Sequence, residues 1–305
     1  MKSRIAISVG DLNGVGIEIA LKSHHEISKI CSPIYCINKT LLSMACEKLG
    51  VIIPNNFQLS AVDGEFNITP SKVSAQSGQY SFDSFLHAID LAKTKQVEAI
   101  VTLPIHKEAW MMAKIDFKGH TDYLRFAFDK EAIMMLGCEK MFVALYTEHI
   151  PLKDVAKQIN TQRLLSFFLD FHSSIGDAKV AVLGLNPHAG DNGVLGDEER
   201  IIEEAISLAN AKIAKEIFVG AIVPDVAFTP RFRKNFKYFI AMYHDQGLAP
   251  LKALYFDESV NISLNLPIIR TSVDHGTAFD IAYKNKADTL SYINAIQSAL
   301  SLIKR

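Results

Sequence analysis

Short runs of apolar, β-branched residues recur along this chain, each followed by a stretch with helical spacing. The runs at 5–9, 33–37, 97–102, 141–146, 180–185, 217–223 and 238–243 are apolar almost throughout. A strand with one wet face alternates, whereas continuous runs predict strands covered on both faces, as in a parallel sheet. The stretches between them predict helices from about 15, over 41–49, 161–174 and 197–214. In the last of these, Asp197, Glu198 and Glu199 fall in the first turn, where negative charge meets the positive end of the helix dipole. Ile201, Ile202, Ala205, Ile206 and Ala209 then share one face. Repeated strand–helix alternation predicts an α/β fold with a largely parallel, doubly wound sheet. The least patterned stretch, 54–80, reads as an irregular excursion. His24, His25, His87 and His172 fall inside helical patterns and read as surface or packing residues, and Phe167, Phe168 and Phe171 as core.

A length of 305 residues suits about two domains of this kind. Hydrophobic residues at 49% against 21% charged exclude a disordered chain. The formal charge of −1 lacks the basic excess of a nucleic-acid binder, so no nucleic-acid partner is expected. Small anionic ligands need only a local positive cluster and stay open. Cys31, Cys36, Cys46 and Cys138 form no C-x-x-C pair, which predicts free thiols in a reducing, cytoplasmic setting. The N-terminal apolar stretch stops at Asp11, too soon for a signal peptide, and no uncharged run has the ~18–20 residues that cross a bilayer. No membrane association is expected.

The unusual polar residues cluster where apolar runs end. His149 follows MFVALYTE, His188 lies in the NPHAG that follows VAVLGL, and His244 follows YFIAMY. In an open α/β sheet such positions share one edge, where ligands bind. Three imidazoles there fit a divalent cation with positions left for substrate. Each histidine alone reads first as a hydrogen-bonded loop residue, and only the repeated strand-end placement sets the metal reading level with it. Asp245 and Asp225 sit at strand ends too, suited either to orienting an imidazole or taking a proton, or to capping a turn. Lys252 is a candidate for gripping an anion, and so is Arg270, which follows the apolar run 260–269, read as one strand; solvated salt bridges are the competing use. Gly119-His120-Thr121 reads as a polar turn opening a helix, whose amides could bind an anion. The first strand is followed by Gly10-Asp11-Leu12-Asn13-Gly14-Val15-Gly16, which lacks the G-x-G-x-x-G order of a dinucleotide loop. A further segment, from Asp274 through Ala282, is expected to open a helix.

Taken together, these motifs resemble the 4-hydroxythreonine-4-phosphate dehydrogenase family. The matching stretches are GDLNGVGIEIALK at 10–22, LPIHKEAW at 103–110, GHTDYLR at 119–125, EHIPLKDV at 148–155, LGLNPHAGDNGVLGDEE at 183–199, AMYHDQGLAPLK at 241–252 and VNISLNLPIIRTSVDHGTAFDIA at 260–282. The resemblance implies a two-lobed isocitrate/isopropylmalate dehydrogenase-like α/β/α fold with its active site in the interlobe cleft. The expected lobes are 1–118 plus 271–305, on the cofactor side, and 119–270, carrying metal, substrate and dimer contacts. It implies NAD(P)-dependent oxidation of 4-phosphooxy-L-threonine in pyridoxine 5'-phosphate biosynthesis, a divalent metal (Zn, Co or Mg), and a homodimer with the site near the subunit interface. By motif, His149, His188 and His244 match metal ligands. His120, Thr121, Lys252, Asn261 and Arg270 match substrate contacts, Asp225 and Asp245 match carboxylates near the metal, and Asp274, His275, Gly276 and Thr277 match the cofactor segment. Sister enzymes acting on phosphorylated four-carbon sugar acids, and a metal-dependent phosphate-ester hydrolase, remain alternatives. The first loop reads SVGDLNGVG in place of the Pro-Gly-Glu-Pro-Ala-Gly type common in the family.

Overall fold

The computed structural model describes residues 2–304. It contains the strands β1 (Arg4–Ser8), β2 (Ser32–Cys36), β3 (Gln58–Ser60), β4 (Ala99–Thr102), β5 (Ile133–Cys138), β6 (Met141–Leu145), β7 (Val180–Leu183), β8 (Phe218–Ile222), β9 (Tyr238–Ala241), β10 (Val260–Leu264) and β11 (Ile269–Val273). They fall into two compact units. The first takes the chain up to Lys130, with Val260–Ile262 and Leu266–Lys304; the second takes Glu131–Ser259 and Ser263–Asn265.

In the first unit the strand order is β3-β2-β1-β4-β11-β10. β1, β2, β3, β4 and β11 are paired in parallel. Ile5, Ile7, Ile100 and Val101 are completely buried, as continuous apolar runs require. Helices Gly16–Ile30, Ala75–Lys93 and Leu290–Ile303 flank the sheet. Two of its helices begin on side-chain caps. Asn38 accepts the amide of Leu41, and Ser74 that of Ser77, each satisfying an orphan donor of the first turn.

The second unit has the order β5-β6-β9-β7-β8. β5 and β6 form an antiparallel hairpin, and the rest of the unit pairs in parallel. Its core gathers Leu136, Val143, Leu183, Phe239, Leu248 and Leu251. Phe168 and Phe171 are fully buried as expected, while Phe167 is half-buried and packs edge-on against Tyr146.

Four expectations change. The stretch 54–80 contains β3, and the Ser74 cap starts a long helix inside it. The run at 260–269 is two strands, because Asn265 adopts φ 59° and breaks it. No helix follows Asp274: Ala278, Tyr283 and Asn285 all have positive φ, which a helix cannot hold, and the next helix is Leu290–Ile303. The units divide after Lys130 rather than 118, and the chain returns to the first unit at Val260–Ile262 and again from Leu266, rather than at 271. Residues 119–130 belong with the first unit because the helix His120–Phe128 packs its aromatic side on Phe82, Phe85 and Trp110. Arg270 belongs there because β11 pairs with β4.

Candidate active site

The first unit brings a buried guanidinium and a neutral imidazole together from distant segments. Arg270, on β11, is 2% exposed, and its Nη2 donates to the Thr102 hydroxyl at 2.7 Å at the end of β4. Burial pulls its guanidinium down to about 9, which leaves it cationic at neutral pH. His120 is the first residue of its helix, with its ring edge-on to Phe85 (centroids 4.5 Å) and Trp110 (5.6 Å). Burial, and then the charge of Arg270, push His120 well below the ordinary histidine value, so it is neutral. Its Nε2 is buried without a hydrogen-bond partner among the described residues, and so is Oδ1 of Asn261. Buried polar atoms in that state call for a partner from water or a ligand. Thr121, next along the helix, is half-buried.

The glycine-containing first loop and the 274–277 segment also meet in the first unit. The Val15 amide donates to the Thr277 carbonyl at 3.0 Å. A Cβ on Gly14 would stand 2.8 Å from that carbonyl oxygen and 2.9 Å from Thr277 Cβ, so only glycine permits the approach. Asp11 is fully buried, accepting from the Asn13 amide and the Ser77 hydroxyl, and burial raises its carboxyl. Thr277 is buried, Asp274 is half-buried, and His275 and Gly276 are exposed. Nothing lies within 4 Å of a Cβ built on Gly276, which leaves room for a ligand to approach the backbone.

In the second unit the three strand-end histidines lie beyond β6, β7 and β9, with β9 between the other two. His149 and His244 come together, their ring centroids 5.5 Å apart. His244 Nδ1 lies 2.7 Å from Asp245 Oδ1. A carboxylate only accepts, so Nδ1 carries the proton and the lone pair is left on Nε2, the tautomer that can ligate a cation. His188 is exposed in a left-handed turn, φ 53°, that continues through Asn192. Among the described residues, no three His, Cys, Asp or Glu side chains stand close enough to hold an ion as placed. Two imidazoles of the three are therefore brought together. Asp225, in the short helix Pro224–Ala227, is exposed. Lys252 lies on the helix His244–Tyr255, its ammonium 5.2 Å from the Phe256 ring.

Two residues of consequence escape a reading of the sequence. Glu199 does not merely face the helix dipole. It is buried, and its Oε1 accepts the amides of Leu185 (2.8 Å) and Asn186 (2.7 Å), while Oε2 accepts the Asn186 side chain (2.9 Å). Gln246, also buried, spans two strand ends. The only sequence signal was their place inside the NPHAG…DEE and MYHDQG stretches.

Comparison with known proteins follows the same lines. A family model described as pyridoxal phosphate biosynthetic protein PdxA matches residues 29–299. A 4-hydroxythreonine-4-phosphate dehydrogenase of Sulfurimonas denitrificans is 66% identical over 304 residues, spanning 100% of this chain and 99% of the relative. One of Campylobacter fetus is 56% identical, spanning 98% of each. The crystal structure of 4-hydroxythreonine-4-phosphate dehydrogenase from Klebsiella pneumoniae superposes with a TM-score of 0.84 at 31% identity, over 99% of this chain and 100% of that one. The fold shared with it is an α/β dehydrogenase-like fold.

Proposed function

The chain belongs to the pyridoxal phosphate biosynthetic protein PdxA family, and on that premise we propose that it oxidises 4-hydroxythreonine 4-phosphate at C3 with NAD(P). The product is 2-amino-3-oxo-4-phosphooxybutanoate, a β-keto acid that loses CO₂ to give 3-amino-2-oxopropyl phosphate. The chain is an oxidoreductase of pyridoxal phosphate biosynthesis.

The observation that carries the substrate assignment is the Arg270–His120 pocket. A buried guanidinium beside a neutral imidazole with an unpartnered Nε2 fits a substrate bearing phosphate and carboxylate. His120, Thr121, Asn261 and Arg270 bind and orient the substrate, with Lys252 as a further cation for it. Fixing the anionic ends in this way lets binding energy position the reacting carbon. His149, His188 and His244 would hold a divalent cation, supported by the 5.5 Å imidazole pair and the tautomer that Asp245 imposes on His244. Asp274, His275, Gly276 and Thr277, with the loop from Gly10 to Gly16, would hold the nicotinamide cofactor. When bound, the cation would supply Lewis-acid polarisation of the C3 hydroxyl, and the nicotinamide would supply a hydride acceptor. Asp245 or Asp225 takes the hydroxyl proton and passes it to solvent, to which both are exposed.

A second copy of the chain is the expected partner. Free thiols at all four cysteines fit a reducing, cytoplasmic compartment. No helix of the described residues is long and apolar enough to cross a membrane.

The test is absorbance at 340 nm with purified protein, 4-phosphooxy-L-threonine, a divalent metal and NAD⁺ or NADP⁺, with and without chelator. Chelator-sensitive reduction is expected. No reduction with any metal, together with turnover of 4-phosphothreonate or 4-phosphoerythronate, overturns the substrate assignment.

A further inference from the structure

We propose that Gln246 is a positioning residue that sets the spacing of the histidine-bearing strand ends, with Glu199 holding the arm that carries His188. The proposal rests on the reading of His149, His188 and His244 as metal-holding residues. It begins where the backbone ladders stop. The pairing of β6 with β9 ends at Leu145 and Ala241, and that of β7 with β9 at Val182 and Ile240. All three histidines lie beyond those last rungs, where the regular register stops.

A last backbone bond and several side chains continue the ladder there. On one side, the Thr147 amide (3.2 Å) and hydroxyl (2.6 Å) both donate to the Met242 carbonyl, tying the segment before His149 to the segment before His244. On the other, the Gln246 Oε1 accepts the Met242 amide at 2.7 Å, and its Nε2 donates to the Gly184 carbonyl at 2.7 Å. One buried amide thus supplies the missing rung between β9 and β7. The rung continues through Glu199, which accepts both backbone amides leading to Pro187 and His188. A Cβ on Gly190 would stand 2.6 Å from Glu199 Oε2, so the turn carrying His188 is moulded onto that carboxylate. No apolar side chain could replace Gln246, because the Met242 amide and the Gly184 carbonyl would both be left buried and unmet.

The test uses full-length protein stripped of metal. Zn²⁺ affinity is measured by titration calorimetry and the Co²⁺ visible spectrum is recorded, with a thermal melt of each metal-free sample alongside. The variants are Gln246→Met and Glu199→Gln. The control is Phe171→Leu, a core substitution in the same unit that lowers the melting temperature with no link to the strand ends. Loss of a partner behind a ligand typically weakens metal binding about 10–100-fold. That loss is expected in Gln246→Met, a smaller one in Glu199→Gln, and wild-type affinity in Phe171→Leu. Wild-type affinity in a folded Gln246→Met protein overturns the proposal, as does affinity falling in step with melting temperature across all three. Should Gln246→Met not fold, unchanged affinity in Glu199→Gln overturns it. A wild-type protein that takes up no divalent ion overturns the metal reading itself, a result distinct from wild-type binding with unaffected variants.

Discussion

Arg270→Met separates what the buried cation costs the fold from what it does for binding. Arg270 is 2% exposed, and desolvation brings its guanidinium from the ordinary value to about 9. At about 1.4 kcal/mol per pH unit, holding that charge in the ligand-free protein costs roughly 5 kcal/mol. The hydrogen bond to Thr102 returns about 1.5–3 kcal/mol, as bonds from charged donors do, and the further contacts of Arg270 return part of the rest. Methionine keeps much of the apolar stem and carries no charge, so the variant gains up to about 3 kcal/mol after those partners are lost. A chain of this size gains about 2 °C in melting temperature per kcal/mol, which predicts a rise of up to about 6 °C. The same substitution removes the group proposed to grip the substrate's anion. Thermal melts are run with and without saturating 4-phosphooxy-L-threonine. Wild type should shift upward on ligand by mass action, at about 2.7 kcal/mol when ligand is at 100 times Kd, and Arg270→Met should not. A variant that melts below wild type without ligand, or that keeps the ligand-induced shift, refutes the reasoning.

Other outcomes follow from neighbouring observations. His24 is buried, with Nε2 3.3 Å from the Asn55 carbonyl and Nδ1 3.0 Å from the Tyr35 hydroxyl, so the neutral ring donates to the former and accepts from the latter. Its folded value is lowered by burial, so the unfolded chain takes the proton first. Its stability contribution is therefore complete above about pH 6.5 and lost as pH falls, and His24→Gln should flatten the acid limb of melting temperature against pH. Asp11 has the opposite sign. Its carboxyl is raised by burial, so its stabilisation is present at low pH and fades as pH rises through the folded value. Asp11→Asn should melt no lower than wild type at pH 7.5, whereas Asp11→Ala, leaving Ser77 and the Asn13 amide unmet, should lose about 1–3 kcal/mol by denaturant titration. In Gly247→Ala the new methyl would lie 2.4 Å from Val143 Cγ1 and 2.8 Å from Ala241 Cβ. Overpacking of about 1–3 kcal/mol should lift the helix His244–Tyr255 from the sheet, lowering both melting temperature and Zn²⁺ affinity.

Much of the architecture could be read from the chain because it rests on local pattern. Continuous apolar runs gave β1, β2, β4, β6, β7, β8 and β9, since strands covered on both faces need no polar alternation. The strand-end histidines were visible for the same reason: a polar residue just past a buried strand is a local event. β5 went unseen, because IMMLGC is as apolar as the others but lies in an antiparallel hairpin with no helix before β6 to set it apart. The break between β10 and β11 was missed too, as it depends on a single Asn in a left-handed conformation.

By itself, then, the sequence determined the α/β alternation, the placing of polar residues beyond buried strands, and the motifs that tie the chain to its family. Only the tertiary structure decided that Arg270 would meet Thr102 from 168 residues away, and that a helix from the middle of the chain would bring His120 within reach of its charge. It also turned Glu199 from a helix-start acid into the mould of the NPHAG turn, and Gln246 into a rung between strands. Periodicity encodes which face of an element is buried. Which donor meets which acceptor depends on how elements far apart in the chain are stacked. In a low-dielectric interior that pairing governs where a charge can be kept and how a ligand is held.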